Sequence, residues 1–289
     1  SNYITALGWP EVGDEYDGKW MKYWPADLQL IGKDILWFHT VYWPCMLMAL
    51  DVPLPKTVFA HGWWTAEGKK MSKSLGNFIS RQTITEFCQQ YHRDVFRYFL
   101  LREVPFGLDG DFSREAFRAR YNAELANDVG NLLSRTVNMI DRYCQAAVPQ
   151  PQDRGLSGRA AELLGPALDR LQRETEDIIA RCQFSDYIRA VLELATGTNR
   201  YIDATEPFRL AKDPDRRQEV ATILYTCAES VRIVLNLLEP IMPEKAVQGL
   251  RQLGLEVDHG VPLSQRIQWG RLEAGTAVAG GEPLFPRAE

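Results

Sequence analysis

Apolar positions along the chain follow two different rhythms, and the change falls near residue 112. Before it the apolar runs are short and crowded with aromatics, prolines and glycines. "LQLIG" (28–32) predicts a buried strand, a helix follows from about Asp34 to Leu50, and "TVFAHGWW" (57–64) predicts a second strand between "PLPK" and a glycine-lysine segment. Strand, helix and strand in that order predict a βαβ unit of a parallel α/β sheet. After residue 112 the spacing is helical almost throughout. Leu125, Val129, Leu132, Leu133, Val137 and Ile140 fall on one face, and Leu164, Leu168, Leu171, Ile178 and Ile179 on another. Val220, Ile223, Leu224, Cys227, Val231, Val234, Leu235 and Leu238 form the clearest stripe. A loop at 146–158 separates the first two helices, and "EPIMP" stops the last. The chain therefore reads as part of an α/β domain (1–64), a loop and connecting region (65–112) and an α-helical bundle with a C-terminal tail (113–289).

Composition narrows the chemistry. The 289 residues carry a net charge of -5, so any phosphate binding must come from local clusters and not from a global basic field. Five scattered cysteines (Cys45, Cys88, Cys144, Cys182, Cys227), with no C-x-x-C pair, predict reduced thiols in a cytosolic protein and no metal site. The longest apolar run, "VYWPCMLMAL", is short for a membrane span and contains Pro44. No initiator Met precedes the patterned start, which suggests that the chain is part of a longer one.

The segment "GKKMSKSLGN" (68–77) places Lys69, Lys70 and Lys73 close together with Ser72 and Ser74 between and beside them. Its glycines and charges predict a loop rather than a helix or a strand. A parallel sheet binds ligands at the carboxyl ends of its strands, and this loop follows such an end. Flexible lysines, hydroxyls and backbone N–H groups suit a triphosphate, although a solvated loop would look similar. His61 and Gly62 end the second strand; a glycine there would let a flat base approach, with Phe59 and Ala60 offering main-chain hydrogen bonds, while Trp63 and Trp64 read as packing. Asp34 opens the first helix, where a carboxylate is either a cap or a ribose ligand. Ile35, His39 and Trp43 recur at four-residue spacing on one helix face, and a histidine among aromatics is commonly a core residue.

"KMSKS" (70–74), within "HGWWTAEGKKMSKSLGNFI" (61–79), resembles the class I aminoacyl-tRNA synthetases. "LIGKDILWFHTVYWPCML" (30–47), "NYITALGWP" (2–10), "LREVPFGLDGDFS" (101–113) and "LFPR" (284–287) resemble the methionyl-tRNA synthetases of the bacterial type, across essentially the whole chain. The resemblance implies the C-terminal half of a Rossmann-type catalytic domain followed by a helical anticodon-binding domain. It implies ATP-dependent attachment of methionine to tRNA(Met) through methionyl-adenylate, with ATP as substrate, Mg alongside it, and a monomeric, cytoplasmic enzyme that does not contact membranes. Lys70 and Lys73 become the catalytic candidates. Gly32, Asp34, Phe59, Ala60, His61, Gly62, Ser72 and Ser74 join them around ATP, and Tyr3, Ile35 and His39 line the methionine pocket. A polarizable thioether suits aromatic walls, and a hydrogen bond from Tyr3 or His39 would mark the sulfur.

In the bundle, "NLLSR" matches the family's anticodon-reading pattern at Asn131 and Arg135. At 100° per residue from Val129 these two project opposite the core stripe, with Glu124, Asn138 and Arg142 on the same side, where a plain solvated face is the alternative. "NRYIDATEPFRLAK" (199–212) supplies Asn199, Pro207 and Phe208; the family commonly has Trp in place of Phe208, which stacks with a larger face. The family's H-I-G-H element and its zinc-bearing insertion are absent from this sequence, so no metal ligand is assigned here. The isolated chain is expected to be inactive in adenylation. The competing function is a non-catalytic tRNA-binding helical module; another class I synthetase is disfavoured by "GKDILWFH".

Overall fold

The two apolar runs near the start do form neighbouring strands. In the computed structural model, which describes residues 2–10, 19–72, 74 and 77–288, short helices α1 (Asn2–Thr5) and α2 (Lys19–Tyr23) precede β1 (Gln29–Gly32). β2 (Val58–His61) runs parallel to β1, in register from Gln29 opposite Val58 to Gly32 opposite His61. The helix expected between them is divided into a 3-10 turn (Lys33–Ile35), a π-helical turn (Phe38–Tyr42) and α3 (Trp43–Ala49). Pro44 explains the division, because it has no N–H for the carbonyl one turn back and its ring crowds that turn. Ile4, Trp24, Trp43, Leu47 and Val52 form the buried cluster beneath.

The second predicted strand is also divided. It stops at His61, and β3 (Trp64–Ala66) begins after Gly62 and Trp63. A side chain at 62 would collide with the backbone carbonyl of Leu108, so glycine is required there by the protein's own chain. β3 turns at Glu67 and Gly68, both with positive φ (52° and 72°), into β4 (Lys69–Lys70), and β5 (Gly110–Phe112) completes a sheet of order β4–β3–β5. Lys69 and Lys70 were expected in a loop; the tight turn before them has the sign of φ that matches strand twist and folds them back as a short strand.

The chain forms two compact units, residues 1–65 with 106–111, and 66–105 with 112–289. The second is helical: α4 (Arg81–Tyr91), α5 (Arg93–Glu103), α6 (Arg114–Arg120), a π-helix (Tyr121–Gly130), α7 (Asn131–Cys144), α8 (Gly158–Ala180), α9 (Phe184–Thr205), α10 (Pro207–Leu210), α11 (Arg217–Leu238), α12 (Pro243–Gln252) and α13 (Leu263–Arg266). The three predicted stripes lie in the core, except that Ile179, at the end of α8, faces solvent. α11 is buried on every side from Ile223 to Leu238. Its polar residues are satisfied internally: buried Glu229 pairs with Arg232 at 2.7 Å and accepts the backbone N–H groups of Gly270, Arg271 and Leu272. Residues 214–238 are long and apolar enough to cross a membrane, but 89% of the apolar window is buried, as in a core helix of a bundle.

Candidate active site and RNA-binding face

In the first unit, the carboxyl ends of β1 and β2 bring Gly32, Lys33 and Asp34 beside His61, Gly62 and Trp63. Lys33, which the sequence reading passed over, holds both carboxylate oxygens of Asp109 at 2.6 Å and sits 4.2 Å above the Trp63 ring. The Trp63 N–H donates to the same carboxylate at 2.9 Å. The lysine hydrogen bond, with that N–H, holds the Asp109 pKa below the ordinary carboxylate range. Trp63 is therefore a cation platform and more than packing. Asp34 is exposed, and one of its carboxylate oxygens lies close over Gly32, where a Cβ would come within 2.5 Å of it. Phe59 and His61 point to one side of β2 and stack on Phe106, with ring centroids at 5.1 and 6.1 Å. The space that a side chain at 62 would take belongs to the Leu108 and Asp109 backbone.

Tyr3, Ile35, His39 and Trp43 do converge. The Ile35 carbonyl can only accept, so His39 donates to it from Nδ1 at 3.1 Å, and His39 Nε2 shares a hydrogen bond of 3.0 Å with the Tyr3 hydroxyl. Tyr3 and His39 both tilt against Trp43, with centroids at 5.2 and 5.7 Å. The hydroxyl and the imidazole expected to mark a thioether are thus engaged with one another and with the backbone. What the group offers a methionine side chain is a polarizable aromatic wall.

In the second unit, the lysine segment is held by a residue that was not singled out in the sequence, Asn77. Its Oδ1 accepts the Ser72 N–H at 2.9 Å and its Nδ2 donates to the Lys70 carbonyl at 3.1 Å. The Ser72 and Ser74 hydroxyls share a hydrogen bond of 2.7 Å, and Lys70 is exposed. Lys73 lies outside the described residues. Among the described residues no group of three or more His, Cys, Asp or Glu could hold a metal ion.

The face of α7 differs from its helical-wheel projection in one respect. Asn131, Asn138 and Arg142 are exposed and Arg135 half-buried, but Glu124 is turned inward, where it accepts from Arg102, Arg120 and the Tyr98 hydroxyl. The wider π-helical turns of 121–130 rotate each residue by less than 100°, so a phase carried back from Val129 misplaces it. Arg135 pairs with Asp203 at 2.6 Å. Phe208 is 40% exposed on α10, and Pro207 is buried at that helix's first position. Asn199 is half-buried and donates to the Asp128 carbonyl at 3.1 Å, next to the junction between the π-helix and α7. Its side chain is thus engaged with the backbone that precedes Asn131.

Residues 1–137 match the family described as tRNA synthetases class I (M). The whole chain aligns at 46% identity with the methionine–tRNA ligase of Caldanaerobacter subterraneus subsp. tengcongensis, and at 43% with that of Bacillus subtilis. Mycobacterium tuberculosis methionyl-tRNA synthetase in complex with methionyl-adenylate superposes with a TM-score of 0.87 at 37% identity, over 99% of this chain. The chain is thus similar over its whole length to part of the methionyl-tRNA synthetases. Its α/β unit and helical bundle are the class I synthetase fold seen in the C-terminal region of those enzymes. The chain spans 44% and 42% of the two curated relatives, and 54% of the solved methionyl-tRNA synthetase chain.

Proposed function

We propose that this chain is the C-terminal part of a cytoplasmic, monomeric methionine–tRNA ligase, carrying part of the adenylation site and the anticodon-reading bundle. The observation that carries this reading is the convergence of Tyr3, His39 and Trp43 into one aromatic group, in a chain related throughout to methionine–tRNA ligases. The methionine carboxylate attacks the α-phosphorus of ATP, the bond to the bridging oxygen breaks, and pyrophosphate leaves. The tRNA terminal hydroxyl then attacks the adenylate carbonyl and AMP departs. Positioning and charge stabilisation carry both steps, without a side-chain nucleophile. Asp34 accepts ribose hydroxyls beside Gly32. Phe59, Ala60 and His61 serve the base from β2. Lys70 and Lys73, with Ser72 and Ser74, meet the charge that develops on pyrophosphate, and Mg arrives with the triphosphate. Asn131, Arg135 and Phe208 read the unstacked anticodon, while Asn199 and Pro207 support that face.

The first unit also supports a shared site. The helical segment between its two strands leaves Trp37, Phe38, Tyr42, Met46 and Met48 each more than half exposed, an apolar surface of the kind that another segment covers. A preceding segment of the longer protein would cover them and complete the nucleotide site. The test is methionine-dependent exchange of pyrophosphate into ATP by the full-length protein and by this chain alone. Activity in the first and none in the second supports the reading; exchange by the chain alone refutes the shared site.

A further inference from the structure

We propose that Asn77 is a positioning residue for adenylation, acting through the lysine segment that it holds. The proposal rests on the reading that Lys70 serves the ATP phosphates. The segment leaves β4 at Lys70, where hydrogen bonding within the sheet ends, and α4 does not begin until Arg81. Among the described residues between them, backbone-to-backbone hydrogen bonds are few. The Asn77 carboxamide supplies two: its oxygen receives the Ser72 N–H at 2.9 Å, and its nitrogen gives a hydrogen to the Lys70 carbonyl at 3.1 Å. The same nitrogen lies 3.5 Å from the carbonyls of Ala66 and Lys69, so it faces the strand ends on both sides of the Glu67–Gly68 turn. One planar group thereby fixes the backbone on both sides of Met71 and sets the direction in which Lys70 leaves the strand.

The chemistry selects asparagine. An amide offers a donor and an acceptor a fixed distance apart, and both are used here. Aspartate keeps the acceptor but would turn a second anionic oxygen toward the Lys70 carbonyl. Glutamine places the amide one methylene further out, and alanine removes both contacts. A lysine that stabilises charge only in the transition state is sensitive to displacement, and about 1 Å of misplacement costs on the order of a hundredfold in rate. Loss of the clamp should therefore reach kcat rather than the binding of methionine, whose candidate pocket lies in the other unit.

The experiment compares wild type, Asn77→Ala, Asn77→Asp and Lys70→Ala in the full-length synthetase by pyrophosphate exchange, with KM for methionine and thermal unfolding measured on each. Expected for Asn77→Ala is a fall in kcat of about ten- to a hundredfold, an unchanged methionine KM and an unchanged melting temperature, with Asn77→Asp between it and wild type. As a readout independent of activity, trypsin should cleave this chain after Lys69 or Lys70 faster in Asn77→Ala. Wild-type exchange in Asn77→Ala, with Lys70→Ala impaired, overturns the positioning role alone. Wild-type exchange in both overturns the reading on which it rests. A lowered melting temperature, with activity lost only in proportion to unfolded protein, overturns it in favour of a structural role.

Discussion

Removing the guanidinium of Arg135 tests the proposed RNA-binding face, because the structure fixes what that group gives up. Unliganded, Arg135 pairs with the largely exposed Asp203 at 2.6 Å. An exposed pair of this kind contributes about 0.2–1 kcal/mol. A charge-assisted hydrogen bond to an anticodon base is worth about 1.5–3 kcal/mol, and stacking of a guanidinium plane adds to it. Net of the surrendered pair, Arg135→Ala should weaken binding of a CAU anticodon stem-loop by about 1–3 kcal/mol, or roughly 5- to 150-fold. Arg135→Lys keeps the charge but neither the fork nor the plane, so it should restore only part of the loss. The assay is equilibrium binding of stem-loops with matched and exchanged anticodons at one salt concentration. Losses confined to CAU support base reading. Equal losses for all stem-loops would mean that this face tracks the backbone only, and full rescue by lysine would refute the geometric role of the guanidinium.

Other expectations are simpler to state. Phe208→Ala should weaken the same stem-loop by about 1–3 kcal/mol, the range for one stacked base, and Phe208→Trp should preserve or strengthen it. In the full-length enzyme, His39→Ala should raise the KM for methionine while sparing that for ATP, since it removes the partner that holds the Tyr3 hydroxyl; an unchanged methionine KM would make His39 a core residue only. Glu229→Ala should destabilise the bundle by about 3–5 kcal/mol in chemical denaturation, because it strands a buried arginine and three backbone N–H groups; a loss below about 1 kcal/mol would contradict the burial argument. Burial raises the Asp128 carboxyl pKa, so the folded state binds its proton more tightly than the unfolded state and the ionised form costs stability as pH rises through that raised value. Asp128→Asn should accordingly raise the melting temperature near neutral pH, with the difference closing as pH falls into the carboxylate range; a constant difference would contradict the assignment. Burial also pushes the Cys227 thiol up to about 12, so native alkylation should label exposed Cys45 and spare Cys227.

What was legible in the sequence was whatever a local period or a contiguous motif carries. The parallel pair of β1 and β2 followed from two apolar runs with a helix between them, and α11 from its apolar spacing. The methionine-pocket candidates share a helix face at four-residue spacing, and the structure brings Ile35, His39 and Trp43 together although the helix there changes type twice. Contacts made by distant segments were not legible. Nothing local announces that Lys33 will meet Asp109, 76 positions away, although a cation directly between Gly32 and Asp34 at a strand end was a signal available to be weighed. Glu124 was misplaced because a fixed rotation per residue cannot detect a π-helix. Asn77 was overlooked because its role is visible only once the turn at Glu67 and Gly68 has brought Lys70 back beside it.

The central claim is that this chain shares one methionine- and ATP-activating site with a preceding segment of a longer protein. Pyrophosphate exchange measured side by side on the full-length protein and on residues 1–289 alone tests it most directly. Exchange by the full-length protein should require methionine and not other amino acids, be abolished or strongly reduced by Lys70→Ala, and be absent from the isolated chain. Exchange by the isolated chain, or full-length exchange indifferent to methionine, would contradict that claim.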